Sequence, residues 1–447
     1  MKSPKSTTLS HDGARAAAVV LVVLSALSVV TCAGATRTPI VASTLAPPAA
    51  TVPVVPPLAP RAGEGTETSG APGTFVAAAP PATPVVPQGS ALARFQAALR
   101  DAPQRSTPVR VLWLGDSHTA ADFWPDAVRK PLQAAFGSGG PGFVYLGLGV
   151  YRHAGVKLQR EGKWRVEPRQ PSLWMRQNDG IFGLGGIRGV PEDATSTLRL
   201  ELSADAVRGK ARWDIAVRLP TSRARCIIAV EGGESHSVDA TTVAVGSIVH
   251  VTFQTERGAA VTIGHAANEP ELFGAIVEST EPGGVVVDTL GINGARIATP
   301  LAWETASWVE QAHLRDPSLL VFAYGTNEVG DEVASFRYGP QLEELVQLAR
   351  KAAPSADCLV AGPTDREGPG WTPLPRVFEI DSVMRQTSER LGCAYFSVVD
   401  AMGGEGSLKR WAAMEPPLAG TDRVHLNARG YGELGDAMSK LFFDGSR

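Results

Sequence analysis

The chain has 447 residues, with 42 Lys and Arg against 45 Asp and Glu, so its net charge is -3. That balance offers no cationic footprint for nucleic acid or for an anionic membrane surface. A composition of 44% hydrophobic and 19% charged residues is that of a globular protein, which excludes a wholly disordered chain.

The N-terminus carries Lys2, Lys5 and Arg15, an apolar run from Ala16 to Val30, and then small residues. This is the three-part pattern of a secretory signal over residues 1–35, and it predicts an exported protein: periplasmic, an outer-membrane lipoprotein, or secreted. Ala33-Gly34-Ala35 fits ordinary cleavage. Val29-Val30-Thr31-Cys32 approximates a lipoprotein box, with Thr31 where Gly or Ala is usual. An uncleaved anchor is the third option, because the uncharged stretch Ala16 to Thr36 is long enough to span a bilayer. Residues 36–90 read as a Pro-rich tether. Within them, residues 39–90 hold 12 of the 34 prolines, three charged groups (Arg61, Glu64, Glu67) and one aromatic, Phe75, too little to bury a core.

Two domains' worth of sequence follows. Val109 to Leu114 is a continuous apolar run that predicts a buried strand, and similar runs recur at Val285 to Leu290, Leu319 to Tyr324, Leu359 to Ala361 and Ala394 to Val399. Helical patterns such as Leu342, Leu345, Val346 and Ala349 separate them. The alternation predicts an α/β domain, a parallel sheet between two helical layers, over residues 91–149 and 285–447. Between these, residues 150–284 change to period two: Leu198, Leu200, Leu202; Trp213, Ile215, Val217, Leu219; Val249, Val251, Phe253; Val261, Ile263. That pattern predicts an inserted antiparallel β-sandwich.

Four short blocks carry chemistry. Gly115-Asp116-Ser117-His118 follows the first strand, where open α/β sheets bind ligands, and makes Ser117 a candidate nucleophile whose own N–H can face an oxyanion. Asp116 and Ser117 can equally be helix-capping residues. Asp422-Arg-Val-His425 places a carboxylate three residues before an imidazole, a pair able to act as orienter and base, or simply to cap a turn. Gly291-Ile-Asn293-Gly294 and Tyr324-Gly325-Thr326-Asn327-Glu328 each close a strand, and each can supply an N–H to a developing negative charge. Together, in the order Ser, Gly, Asn, Asp-x-x-His, they resemble the SGNH, or GDSL-like, hydrolases. The resemblance implies a flavodoxin-like α/β fold. It makes Ser117 the nucleophile and first oxyanion donor, Gly294 the second donor, Asn327 the third, His425 the base and Asp422 its partner. His118 stands where Leu is frequent, and Glu328 where Asp is commoner.

A finer resemblance, carried by Gly137-Ser-Gly-Gly-Pro-Gly-Phe143, the two glycine blocks and the β-rich insertion, is to peptidoglycan and polysaccharide O-acetylesterases. It implies an O-acetylated polysaccharide or peptidoglycan as substrate. An O-acetyltransferase using the same triad and a non-catalytic glycan-binding lipoprotein are the alternatives. No cofactor or metal is called for: Gly137, Gly139 and Gly142 follow a helical pattern rather than a strand, there is no H-E-x-x-H or Walker A sequence, and the eight histidines are scattered singly. Trp164, Trp174 and Trp213 can stack on sugars or fill a sandwich core. Cys358 and Cys393, near adjacent predicted strands, can pair or remain buried thiols.

Overall fold

The computed structural model describes residues 91–443, so the signal and tether expectations for residues 1–90 lie outside the described residues. Among the described residues no helix is long and apolar enough to cross a membrane.

Five strands, here numbered in chain order, form a parallel sheet: Val109–Gly115, Val285–Gly291, Leu319–Ala323, Asp357–Ala361 and Ala394–Phe396. Their spatial order is second, first, third, fourth, fifth, the doubly wound flavodoxin-like arrangement. All five are buried along their length, which is why they read as unbroken apolar runs. Side chains alternate between two helical layers. Val109, Val111 and Trp113 join a core with Phe95, Trp124, Leu132, Tyr431 and Met438. Leu112 and Leu114 join the opposite core with Trp308, Leu342, Val346 and Met384. The disulfide Cys358–Cys393 forms between the fourth strand and the residue preceding the fifth, with Cα atoms 4.8 Å apart.

The insertion is a sandwich of two antiparallel sheets, one built around Ala211–Arg218 and Glu271–Ser279, the other around Thr197–Leu202 and Val261–Ala267. Leu198, Leu200, Trp213, Ile215, Val217, Val261 and Ile263 share its core, whereas Val249, Val251 and Phe253 lie only partly buried against it. Trp213 is therefore a core residue, its Nε1 donating to Thr255 Oγ1. Antiparallel pairing already begins at Gly142–Val144, on Glu271–Ser279, upstream of residue 150. Three residues are too few to show a period, so only the long-range pairing reveals that strand.

Buried charge fastens the two parts. Glu278 of the sandwich accepts from Arg110 of the first strand at 2.7 Å and from Arg315 at 2.8 Å, and Arg315 also binds Asp288 of the second strand at 2.9 Å. Burial alone would raise the Glu278 carboxyl, but the guanidiniums of Arg315 and Arg110 outweigh it and hold it well below the usual range.

Candidate active site

The site lies along the carboxyl edge of the sheet. Parallel pairing sets Gly115 opposite both Gly291 and Ala323, so the blocks that follow the first three strands emerge side by side. Ser117 opens the short helix Ser117–Ala120, and Asp116 is its N-cap, accepting from the His118 N–H at 2.9 Å. Capping and presentation of the serine are thus one arrangement. A Cβ on Gly291 would lie 2.2 Å from the Ala120 nitrogen, so only glycine lets this turn rest on the end of the second strand.

Ser117 Oγ lies 2.8 Å from His425 Nε2, and His425 Nδ1 lies 2.7 Å from Asp422 Oδ2. The other Asp422 oxygen accepts from the N–H groups of Val424 and His425 at 3.0 and 2.9 Å. Burial would raise the Asp422 carboxyl, but these bonds from His425 and Val424 hold it below its ordinary value. The turn between them passes through Arg423 in the left-handed region, φ +65°, and is tied to Glu367–Gly368 by backbone and side-chain bonds. Such a chain can pass the serine proton to the imidazole while the carboxylate fixes the tautomer and stabilises the imidazolium.

Gly294 has φ +78°, a conformation that favours glycine, on a loop tied to Asn327 by the bond from Asn327 Nδ2 to Ala295 O at 2.9 Å. The second Asn327 contact, to Asp116 Oδ2, is long at 3.5 Å, which leaves an amide N–H for an acyl oxygen. Glu328, fully buried, joins the same two loops: Oε1 accepts from Ile297 N at 2.7 Å and Oε2 from Gly325 N at 3.2 Å. Burial, opposed first by the backbone bond from Ile297, pushes its carboxyl up to about 7. Burial likewise raises Asp116 to about 8, against the bond from His118 and with a further contribution from the charge of Glu328. His118 is buried beside His425, ring centroids 5.2 Å apart, with its nitrogens bonded to Tyr431 Oη and Thr364 Oγ1 at 2.9 and 3.3 Å. Burial, then the nearby His425, lowers it to about 3, so it stays neutral.

All five expected residues, Ser117, Gly294, Asn327, Asp422 and His425, fall on this one edge. A GDSL-like lipase/acylhydrolase family model matches residues 254–432, a span that includes Gly294, Asn327, Asp422 and His425 but begins downstream of Ser117. A solved peptidoglycan O-acetylesterase is similar at 26% identity and TM-score 0.65, over 80% of this chain and 98% of that one. Both findings support the SGNH/GDSL hydrolase superfamily.

The acylhydrolase match and the esterase likeness make it a carboxylic ester hydrolase. More distant structures include an acetylxylan esterase from Geobacillus stearothermophilus, at 20% identity and TM-score 0.29 over 36% of this chain and 73% of that one. A lipase/acylhydrolase from Enterococcus faecalis matches at 15% identity and TM-score 0.29, over 36% and 77%. No curated protein matches the chain.

Reading the sequence missed several residues around the SGNH site. Glu328 was visible only as a departure from Asp, and its longer side chain is what spans the two loops. Thr364 and Arg366, on the loop after the fourth strand, carried no motif. Part of the insertion also reaches the site: Ser172 O accepts from Thr299 Oγ1 at 2.9 Å, and the half-exposed Trp174 lies under the Arg296 guanidinium at 4.9 Å.

Proposed function

We propose that the protein is an exported serine esterase that removes O-acetyl groups from a cell-envelope polysaccharide. The observation that carries this reading is the continuous bonding of Ser117, His425 and Asp422 beside the Gly294 and Asn327 loops. Ser117 Oγ attacks the acetyl carbonyl while its proton moves to His425 Nε2, and the negative oxygen is held by N–H groups of Ser117, Gly294 and Asn327. The C–O bond to the sugar then breaks, and the sugar oxygen takes the proton from His425. Water, deprotonated by the same imidazole, attacks the acetyl-serine; the bond to Ser117 Oγ then breaks, Oγ takes the proton back from His425, and acetate leaves. The His425 side chain is 42% exposed, which gives the attacking water direct access.

The acetyl ester and the glycan are supported by the peptidoglycan O-acetylesterase, to which the chain is similar over nearly that protein's whole length. The signal-like N-terminus supports export, and the proline-rich stretch supports a tether that lets the enzyme reach a polymer. The test is acetate release from O-acetylated peptidoglycan and from a small aryl acetate, with wild type and Ser117→Ala. The variant should lose both activities and labelling by a fluorophosphonate, with its melting temperature near wild type. Full activity in Ser117→Ala would overturn the assignment.

A further inference from the structure

Arg366 lies on the loop after the fourth strand, at the same carboxyl edge as the acyl pocket. It is partly buried, and its Nη1 donates to Thr326 O at 2.9 Å, next to Asn327. Among the described residues it pairs with no carboxylate. Its neighbour Asp365 is turned away, accepting from Ser407 Oγ and Leu408 N at 3.2 and 2.9 Å. Asp331 is taken by Arg296, with contacts at 2.6 and 2.8 Å, and by Tyr338 Oη at 3.1 Å. Burial, and then the charge of Arg296, outweigh the charge of Asp331 and make the Arg366 cation harder to hold, so an anion arriving there would be stabilised. Beside the Gly294 loop, under the Arg296 guanidinium, Trp174 presents an indole that is 47% exposed.

We propose that Arg366 is an anion-binding subsite that grips a carboxylate of the substrate, with Trp174 offering a stacking face to the sugar. This rests on the esterase reading and narrows it: the enzyme selects acetyl esters on acid-bearing glycans over neutral ones. A planar guanidinium with free N–H groups matches a carboxylate in two-point contact, and an apolar ring face matches a pyranose.

The test compares kcat/KM of the full chain on acetylated oligouronides, acetylated peptidoglycan fragments with peptide carboxylates, and neutral acetylated xylo-oligosaccharides of equal length. Wild type should favour at least one acidic series by about 10- to 100-fold, the scale of a hydrogen bond to a charged group. Added salt should shrink that preference. Arg366→Gln should bring the ratio toward one, chiefly through KM, and Arg366→Lys should restore part of it. The acidic series preferred identifies whether sugar or peptide carries the carboxylate. Equal kcat/KM for acidic and neutral series in wild type, or an equal loss on both in Arg366→Gln, would overturn the subsite. Calorimetric titration of the Ser117→Ala protein with the same acidic oligomers separates the two readings. Binding weakened by Arg366→Gln supports the subsite even if wild type hydrolyses no acetyl ester, and binding indifferent to Arg366 overturns it.

Discussion

Asp422 uses one carboxylate for two purposes, and a single substitution can separate them. One oxygen caps the turn through the N–H groups of Val424 and His425, while the other binds the imidazole. Asn keeps an acceptor for the turn but removes the charge that stabilises the imidazolium. Asp422→Asn should therefore lower kcat by about 10²- to 10⁴-fold while the melting temperature stays within a degree or two of wild type. A large loss of stability with little loss of kcat would reduce Asp422 to a cap. Asn327 is judged by a different ratio. Its amide, oriented by the Ala295 carbonyl, gains most when the acyl oxygen becomes negative, so Asn327→Ala should cost about 10²- to 10³-fold in kcat with little change in KM. A rise in KM alone would make it a ground-state binding group.

Between elements, the decisive contacts are those that local sequence patterns do not encode. The parallel strands were legible because burial on both faces leaves unbroken apolar runs, and most of the sandwich because one-sided burial leaves period two. Three of the four catalytic blocks were legible because each sits where a strand ends, and the fourth because a carboxylate stands three residues before an imidazole, Asp422 before His425. Glu328 was not, because its partners, Ile297 and Gly325, lie on two different loops. Nor were Arg366 and Thr364, since nothing near them in the chain marks the edge they share. The same is true of Trp174, which sequence left between sugar platform and core filler. Glu328 gives the clearest test of this level of structure. Glu328→Ala leaves two backbone N–H groups without their acceptor, each worth about 1–3 kcal/mol when buried, and removes one of the ties between the Gly294 and Asn327 loops. It should lower the melting temperature by several degrees and reduce kcat more than it raises KM. Stability lost with kcat intact would show that the loops keep their spacing without the clamp.

Across the whole molecule, buried ionisable groups of opposite behaviour set how stability follows pH. Asp116 and Glu328 are raised to about 8 and about 7, chiefly by burial, so the folded protein keeps protons there that the unfolded chain releases near pH 4. Their contribution is fully present below the unfolded pKa values and is lost as pH rises through the folded ones. His118 and His153 are lowered to about 3 and about 4 by burial, so below about pH 6.5 the unfolded chain binds protons that the folded protein refuses. Between about pH 4.5 and 6.5 the two pairs oppose each other, and stability should change little. Above that range the histidines are neutral in both states and the two acids act alone. His250, raised because its bond to Asp214 outweighs burial, adds to the same trend. The denaturation midpoint should therefore fall between about pH 6.5 and 8, with each acid contributing at most about 1.4 kcal/mol per pH unit. Asp116→Asn and Glu328→Gln should each flatten that fall when unfolding is followed by denaturant titration at several pH values. A wild-type midpoint that rose over this range, or a slope untouched by both variants, would mean that neither carboxyl keeps its proton in the folded protein.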